Sequence, residues 1–299
     1  MQTDRGRVRD HNEDYVIRHE PNNREEEETY GWLYIVADGV GGADAGEVAS
    51  EYASQQTMSH YITGNGELDP GIRLVDSMQA ANTSLRQLVA ERNQNKRMAT
   101  TMVATAIFDQ VAYIANVGDS RGYHWRSSSL RQVTKDQSLV AKLVEEGAIT
   151  EEEAANHPHR NVILYSIGSE KRPKIDLFEV SLDPGDIIFM CSDGLTRHVS
   201  DQEICDILGQ EVLEEATSHL IALANQRGGQ DNISAAIITY GEPSSAINDK
   251  QGTTRVAMPL LTRNTKNAAA NRKYLVPYTI FLSIVEALLI VMVWLVLRV

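Results

Sequence analysis

Five stretches of the chain are apolar at most positions and rich in β-branched or aromatic side chains: Trp32–Ala37, Thr101–Phe108, Val111–Val117, Asp186–Cys191 and Ile233–Tyr240. Short apolar runs of this kind predict strands. Elsewhere apolar residues recur every three or four positions, over Ala45–Ile62, Ile72–Asn93, Gln137–Glu146, Asp201–Leu208 and Val212–Arg227, which is the spacing of a helix face. The strands mostly arrive in adjacent pairs and the two long helices are consecutive, so the order is not the regular βα alternation of a parallel sheet. Antiparallel sheets with helices packed outside are expected, an α+β arrangement. The acidic run Glu25–Glu28 lies between two strand-like stretches and is expected to be a solvated hairpin loop.

The pattern changes beyond Tyr240. Residues 241–274 are rich in Ser, Thr, Asn, Ala and basic residues without a sustained period, which reads as a flexible basic linker. From Leu275 to Leu297 the run LVPYTIFLSIVEALLIVMVWLVL is long enough to cross a bilayer and carries one charge, Glu286. A single C-terminal transmembrane helix is expected over 275–297, with Glu286 either contacting a partner helix or tolerated in its protonated form. Arg272 and Lys273 precede the span, so the positive-inside rule places the body of the protein on the cytoplasmic face of the cytoplasmic membrane. The linker's charges could also lie against anionic lipid.

Charge divides the chain at the same place. The net charge is -13, while the part from Gly241 onward has seven Lys/Arg against three Asp/Glu, leaving -17 on the residues before it. An acidic body repels a phosphate backbone, so no nucleic-acid partner is expected. Hydrophobic residues make up 42% of the chain, enough for a sizeable core. The two cysteines, Cys191 and Cys205, match neither zinc nor redox spacing and read as buried thiols in a reducing compartment.

Candidate chemistry sits at the strand ends. Tyr34–Ala37 runs into Asp38-Gly39, and Ile187–Ser192 runs into Asp193-Gly194, so each strand delivers a carboxylate to a sheet rim, with glycine expected to allow a tight turn. Asn12-Glu13-Asp14, Gly118-Asp119-Ser120-Arg121 and Gln230-Asp231-Asn232 add further acids. Each Asp-Gly alone is an ordinary turn dipeptide. Converging together, the aspartates would repel one another and raise their own pKa values unless cations neutralised them. Oxygen ligands without clustered histidines select Mg²⁺ or Mn²⁺ over zinc. Two such ions can bridge a water, lower its pKa and aim the hydroxide in line at phosphorus. Arg9, five residues before Asp14, suits a phosphate clamp.

Arg9-Asp10-His11-Asn12-Glu13-Asp14, Ala37-Asp38-Gly39-Val40-Gly41-Gly42, Gly118-Asp119-Ser120-Arg121, Ser192-Asp193-Gly194 and Gly229-Gln230-Asp231-Asn232 resemble, in order and spacing, the motifs of the metal-dependent type 2C protein serine/threonine phosphatases, bacterial branch. The likeness spans residues 4–240. It implies a four-layer α-β-β-α sandwich of two antiparallel sheets flanked by helices, a catalytic domain over 1–240, and hydrolysis of phosphoserine and phosphothreonine in proteins. It also implies two core Mn²⁺ or Mg²⁺ ions with a third, weaker site, and a serine/threonine kinase acting in opposition. By the same resemblance Asp38 bridges both core ions and the Gly39 carbonyl binds one of them. Asp193 and Asp231 complete one shell, Asp14 and Glu13 support the other largely through water, and Arg9 holds the phosphate. Asp119 resembles a ligand for the third, weaker ion, shared with Asp193.

Residues 136–170 resemble the mobile flap beside the bacterial active site, which would select protein substrates. Thr150 and Glu153 within it have the spacing of a capping box, a structural reading preferred to a metal role. His157 and His159 could protonate a leaving oxygen, although loop packing is the simpler role for them, and Arg160 follows in the same segment. Val40 stands where many eukaryotic relatives have histidine, which removes a general acid at that position. The family also has a few more residues before the segment matching Asp4, so the first strand is expected to be clipped. The rival readings are a catalytically silent, membrane-tethered phosphoprotein-binding adaptor, a small-molecule or nucleotide phosphatase on the same scaffold, and a two-metal nuclease. The adaptor fits poorly with a full set of aspartates, the small-molecule enzyme with the flap, and the nuclease with the acidic body.

Overall fold

Apolar runs buried on both faces must find two different partners, one for each side of the strand. The computed structural model, which describes residues 1–41, 45–91, 98–210 and 212–241, gives each run two. In chain order the described elements are β1 (Gln2–Asp4), β2 (Asp14–His19), α1 (Arg24–Tyr30), β3 (Trp32–Gly41), α2 (Ala45–Thr63), α3 (Pro70–Glu91), β4 (Met98–Thr100), β5 (Met102–Phe108), β6 (Val111–Val117), β7 (Arg121–Arg126), β8 (Ser129–Gln132), α4 (Leu139–Glu145), α5 (Glu151–Ala155), β9 (Asp176–Ser181), β10 (Asp186–Cys191), α6 (Asp193–Thr196), α7 (Asp201–Gln210), α8 (Leu213–Gln226) and β11 (Ile233–Tyr240).

The strands form two antiparallel sheets, ordered β1-β11-β10-β7-β8 and β2-β3-β5-β6-β9, with β4 paired to the far end of β3. Period-two alternation then sorts the side chains. On β3, Leu33, Ile35 and Ala37 join Ala49, Ala53 and Tyr61 of α2 and Leu74 and Met78 of α3. Val36 faces the other way, into a core shared with Ile188 and Met190 of β10 and Ala236 and Ile238 of β11. The opposite face of β10, Ile187, Phe189 and Cys191, packs on Ile204 and Leu208 of α7 and Ala216 and Leu220 of α8. Three apolar cores therefore separate four layers, helices outside and sheets inside. Each fully buried large side chain contributes about 2 kcal/mol.

Two expectations change. The acidic run Glu25–Glu28 is not an irregular loop: β2 and β3 do pair as a hairpin, but the connection between them is α1. Asn23 caps this helix by accepting the Glu26 N–H at 2.9 Å, three acids occupy the first turn where the helix dipole favours them, and Gly31 (φ 64°) ends it. The second change concerns Asp38-Gly39. No turn occurs there, because β3 continues to Gly41 and pairs with β4. Glycine is needed for close approach instead: a Cβ on Gly39 would stand 2.3 Å from the Gly46 carbonyl oxygen and 2.6 Å from that of Glu13.

The two cysteines are free and buried, as expected. Among the described residues no helix is long and apolar enough to cross a membrane. The span expected at 275–297, and the linker beyond Gly241, lie outside the described residues.

One buried cation ties the α2/α3 layer to the chain entering β3. Arg73, 2% exposed, donates from Nη1 to the Thr29 carbonyl at 3.0 Å and from Nη2 to the Tyr61 hydroxyl at 3.1 Å, and its guanidinium lies over the Tyr61 ring at 4.4 Å. Replacing it strands those acceptors and removes the packing. Arg73→Ala is expected to lower unfolding free energy by about 3 kcal/mol, measured by urea denaturation of residues 1–241; a change below about 1 kcal/mol would refute this role.

Candidate active site

The alternation that fills the inter-sheet core also builds the site. On β3 the residue following Val36 on the same face is Asp38, and its cross-strand partner on β2 is Asp14, so both carboxylates emerge at the end of the apolar layer between the sheets. On the opposite sheet the corresponding continuation of Ile188 and Met190 is Ser192. Its hydroxyl donates to Asp14 Oδ2 at 2.7 Å and accepts the Ser234 N–H at 2.9 Å, joining the two sheets through a polar contact at their shared rim.

The remaining acids come from connections at the same rim. Asp193 opens α6 directly after β10, Asp231 precedes β11, and Asp119 follows β6. Gly194 is required by proximity, since a Cβ there would lie 2.0 Å from the Asn232 carbonyl oxygen. Asn232, 3% exposed, fixes the N-terminal loop against this rim. Its Oδ1 accepts the Glu13 N–H at 2.8 Å, and its Nδ2 donates to the carbonyls of Arg5 and His11, both at 2.9 Å. Glu13 in turn accepts, on its carbonyl, the Gly39 N–H at 3.1 Å and the Ser50 hydroxyl at 2.6 Å. Asp38 is held through its own carbonyl, which accepts the Thr101 N–H at 2.9 Å and the Thr100 hydroxyl at 2.8 Å.

Burial and crowding act together on these carboxyls. Asp38 is pushed well above the ordinary carboxylate range by burial first, then by Asp14, Asp193, Asp119 and Asp231. Burial raises Asp14 to about 7 and Asp119 to about 8, with Asp193 adding to both. Asp193 and Glu13 are also raised, burial again leading. Two guanidiniums offset part of this charge. Arg9 Nη2 lies 2.8 Å from one oxygen of Asp231 and 2.9 Å from the other. Arg197 donates to Asp193 Oδ2 and, at 3.3 Å, to Asp231 Oδ2.

The structure thus brings together Asp14, Asp38, Asp119, Asp193, Asp231 and Arg9, with Glu13 and Gly39 immediately behind. Among the described residues, no three His, Cys, Asp or Glu side chains stand in a closed metal-ligating set. A cleft of about 1080 Å³ opens from the rim, lined on one side by Asp119, Asp193 and Arg197 and on the flap side by Arg160. His157 and His159 do not line it. The His157 Nδ1 instead accepts the His159 N–H at 3.1 Å within their own turn, and the expected capping box of Thr150 and Glu153 is present. Ser192 and Asn232 lie within the motifs read from the sequence but carry no role there, and Arg197 is absent from them. Arg197 had a signal, since it follows Asp193 by four residues on a short helix.

Comparison with known proteins places this geometry. The profile of the protein phosphatase 2C family matches residues 12–235, and the chain belongs to that family. It is 37% identical over 247 residues to the serine/threonine phosphatase stp of Listeria welshimeri, covering 80% of this chain and 94% of the relative. The crystal structure of the serine/threonine phosphatase Stp1 from Staphylococcus aureus superposes with a TM-score of 0.73 at 35% identity, over 80% of this chain and 93% of that one. The catalytic domain of the serine/threonine protein phosphatase PstP, solved in complex with two manganese ions, gives 0.66 at 32% identity, over 79% and 94%.

The raised carboxyls have a thermodynamic consequence. A folded-state pKa above the unfolded value contributes stability that is complete below about pH 4 and is lost as pH climbs through the folded values, here about 7 for Asp14 and about 8 for Asp119. In chelator, the melting temperature is expected to fall by about 5 °C between pH 6 and pH 9. Saturating Mn²⁺ should raise it more at the higher pH. A chelated Tm that is flat or rises over this window would contradict the assignment of these protons.

Proposed function

We propose that this family member, a protein serine/threonine phosphatase, hydrolyses phosphoserine and phosphothreonine with two Mn²⁺ or Mg²⁺ ions held by Asp38, Asp193 and Asp231, supported by Asp14, Glu13 and the Gly39 carbonyl. The observation carrying this reading is that three buried carboxylate oxygens at one rim, Asp14 Oδ1, Asp119 Oδ1 and Asp193 Oδ1, have no hydrogen-bond partner. Oxygen donors without imidazole or thiolate fit hard divalent ions. When bound, the ions supply an activated water as nucleophile and offset charge on the phosphoryl oxygens.

The chain's own residues do the rest. The backbone clamp on the Asp38 carbonyl holds that carboxylate in place. Arg9, with 47% of its side chain exposed, holds both Asp231 oxygens through the single nitrogen Nη2 and can exchange them for phosphoryl oxygens. Val40, two residues beyond Asp38, has no ionisable group, so the proton for the leaving serine or threonine oxygen would come from water, metal-bound or solvent. Arg160 lines the cleft, which supports a contact with the phosphoprotein around its phosphorylated residue.

Asp38→Asn and Asp193→Asn are each expected to cut Mn²⁺-dependent phosphate release from a phosphothreonine peptide by at least about a hundredfold while leaving the fold intact by circular dichroism. Arg9→Ala should act mainly on kcat/KM. Full activity in either aspartate variant would sink the assignment.

The location is part of the same proposal. The hydropathy of 275–297 and the basic pair Arg272-Lys273 support a single C-terminal anchor in the cytoplasmic membrane with the phosphatase domain facing the cytoplasm. A coil of the length of 241–274 reaches about 30 Å, which would limit the enzyme to phosphoproteins near the inner leaflet, where an opposing serine/threonine kinase would act. Deleting 275–299 is expected to move the protein from the membrane pellet to the soluble fraction. Unchanged partitioning would count against the anchor.

A further inference from the structure

Asp119 and Asp193 are the pair to which the family resemblance assigns a third divalent ion, and Arg197 stands in the way. Residues 193 and 197 lie one helical turn apart across α6 and share a face, so the guanidinium projects back over the carboxylate. Its Nη2 takes Asp193 Oδ2 while its Nη1 reaches Asp231 Oδ2 at 3.3 Å. The two oxygens of Asp193 are thereby divided: Oδ1 is buried and unpartnered, suited to a core ion, and Oδ2 is occupied by Arg197. A third ion shared with Asp119 would need that second oxygen. It would also have to sit beside a permanent positive charge, since arginine does not deprotonate in proteins. The charge count agrees: two divalent ions with the Arg9 and Arg197 guanidiniums match the six carboxylates of Glu13, Asp14, Asp38, Asp119, Asp193 and Asp231.

We propose that Arg197 is a resident cation standing in for the third ion, so that this chain binds two metal ions and not three. Arg197 is thus a positioning residue, holding Asp193 and Asp231 from the cleft side. The inference rests on the two-ion reading above, and counting bound metal separates the two.

Mn²⁺ binding to the full chain in mild detergent, followed by equilibrium dialysis with elemental analysis and by calorimetry up to millimolar metal, is expected to saturate at two ions. Arg197→Asp, which removes the cation and adds an oxygen ligand, should bind a third, weaker ion. Adding Asp119→Asn to that variant should return the count to two. Arg197→Gln, which only removes the charge, should also show the weak third phase and serves if the aspartate variant does not fold. Wild-type protein that takes up three ions, or both Arg197 variants that stop at two, would overturn the inference. Wild-type protein that binds no Mn²⁺ would overturn the two-ion reading itself and the inference with it.

Discussion

Six carboxylates gathered at one rim repel one another, and much else in the molecule follows from containing that repulsion. In water the acids would separate; here the two sheets forbid it. Asp14 and Asp38 are locked opposite each other by the β2–β3 ladder, and Asp193 and Asp231 are held at the adjoining ends of β10 and β11. The cost appears in the raised carboxyl pKa values, where burial leads and the neighbouring aspartates add to it. A protein core does not keep such a cluster for stability, because isolated ions in a low-dielectric setting are better replaced by apolar residues. The acids make physical sense as a socket for cations.

The socket is also the reason the fold needs its glycines and buried amides where they are. Bringing five chain segments to one rim leaves no room for a Cβ at Gly39 or Gly194. It also leaves backbone groups of the N-terminal loop with no ladder to join, and the Asn232 side chain satisfies three of them. An asparagine suits this post because it offers donors and an acceptor without adding a charge to an already overcharged rim.

The long apolar strands were legible in the sequence because both of their faces are buried: Val111–Val117, Asp186–Cys191 and Ile233–Tyr240 run over the residues expected. The strands that escaped notice are short or polar. β7 carries Arg121, His124 and Arg126, and His124 and Arg126 are held by Asp186 at the sheet's far end, a pairing between strands that no local pattern announces. Helix α1 escaped for a related reason. It has no buried residues and so no apolar period, and its only signals are terminal: the Asn23 cap, the acids of the first turn and Gly31. In the site, aspartates at strand ends were readable because each sits where an apolar run stops. Arg197 was not, since its meaning depends on Asp231, which is thirty-four residues away in sequence and adjacent only in the fold.

The segment over residues 136–170 is tied at its base to the carboxylate rim. Helices α4 and α5 bury none of their residues, so little apolar packing fixes them, and their position is set at the base of the segment. There Ser138 bridges Ile163, the Leu139 N–H donates to the Val162 carbonyl at 2.8 Å, and the Leu164 N–H donates to the Gln137 carbonyl at 2.8 Å. The Gln137 side chain completes the anchorage. Its Oε1 accepts the Gly118 N–H at 3.0 Å and its Nε2 donates to Asp176 Oδ2 at 2.8 Å. Gly118 is the residue immediately before Asp119, so the base of this segment and a carboxylate of the site hang from the same backbone. A displacement of the flap that rotates Gln137 must therefore either break the Gly118 contact or carry Asp119 with it. The Gln137 main chain makes the same connection, its N–H donating to the Gly118 carbonyl at 2.9 Å, so this one residue grips both backbone polar groups of Gly118.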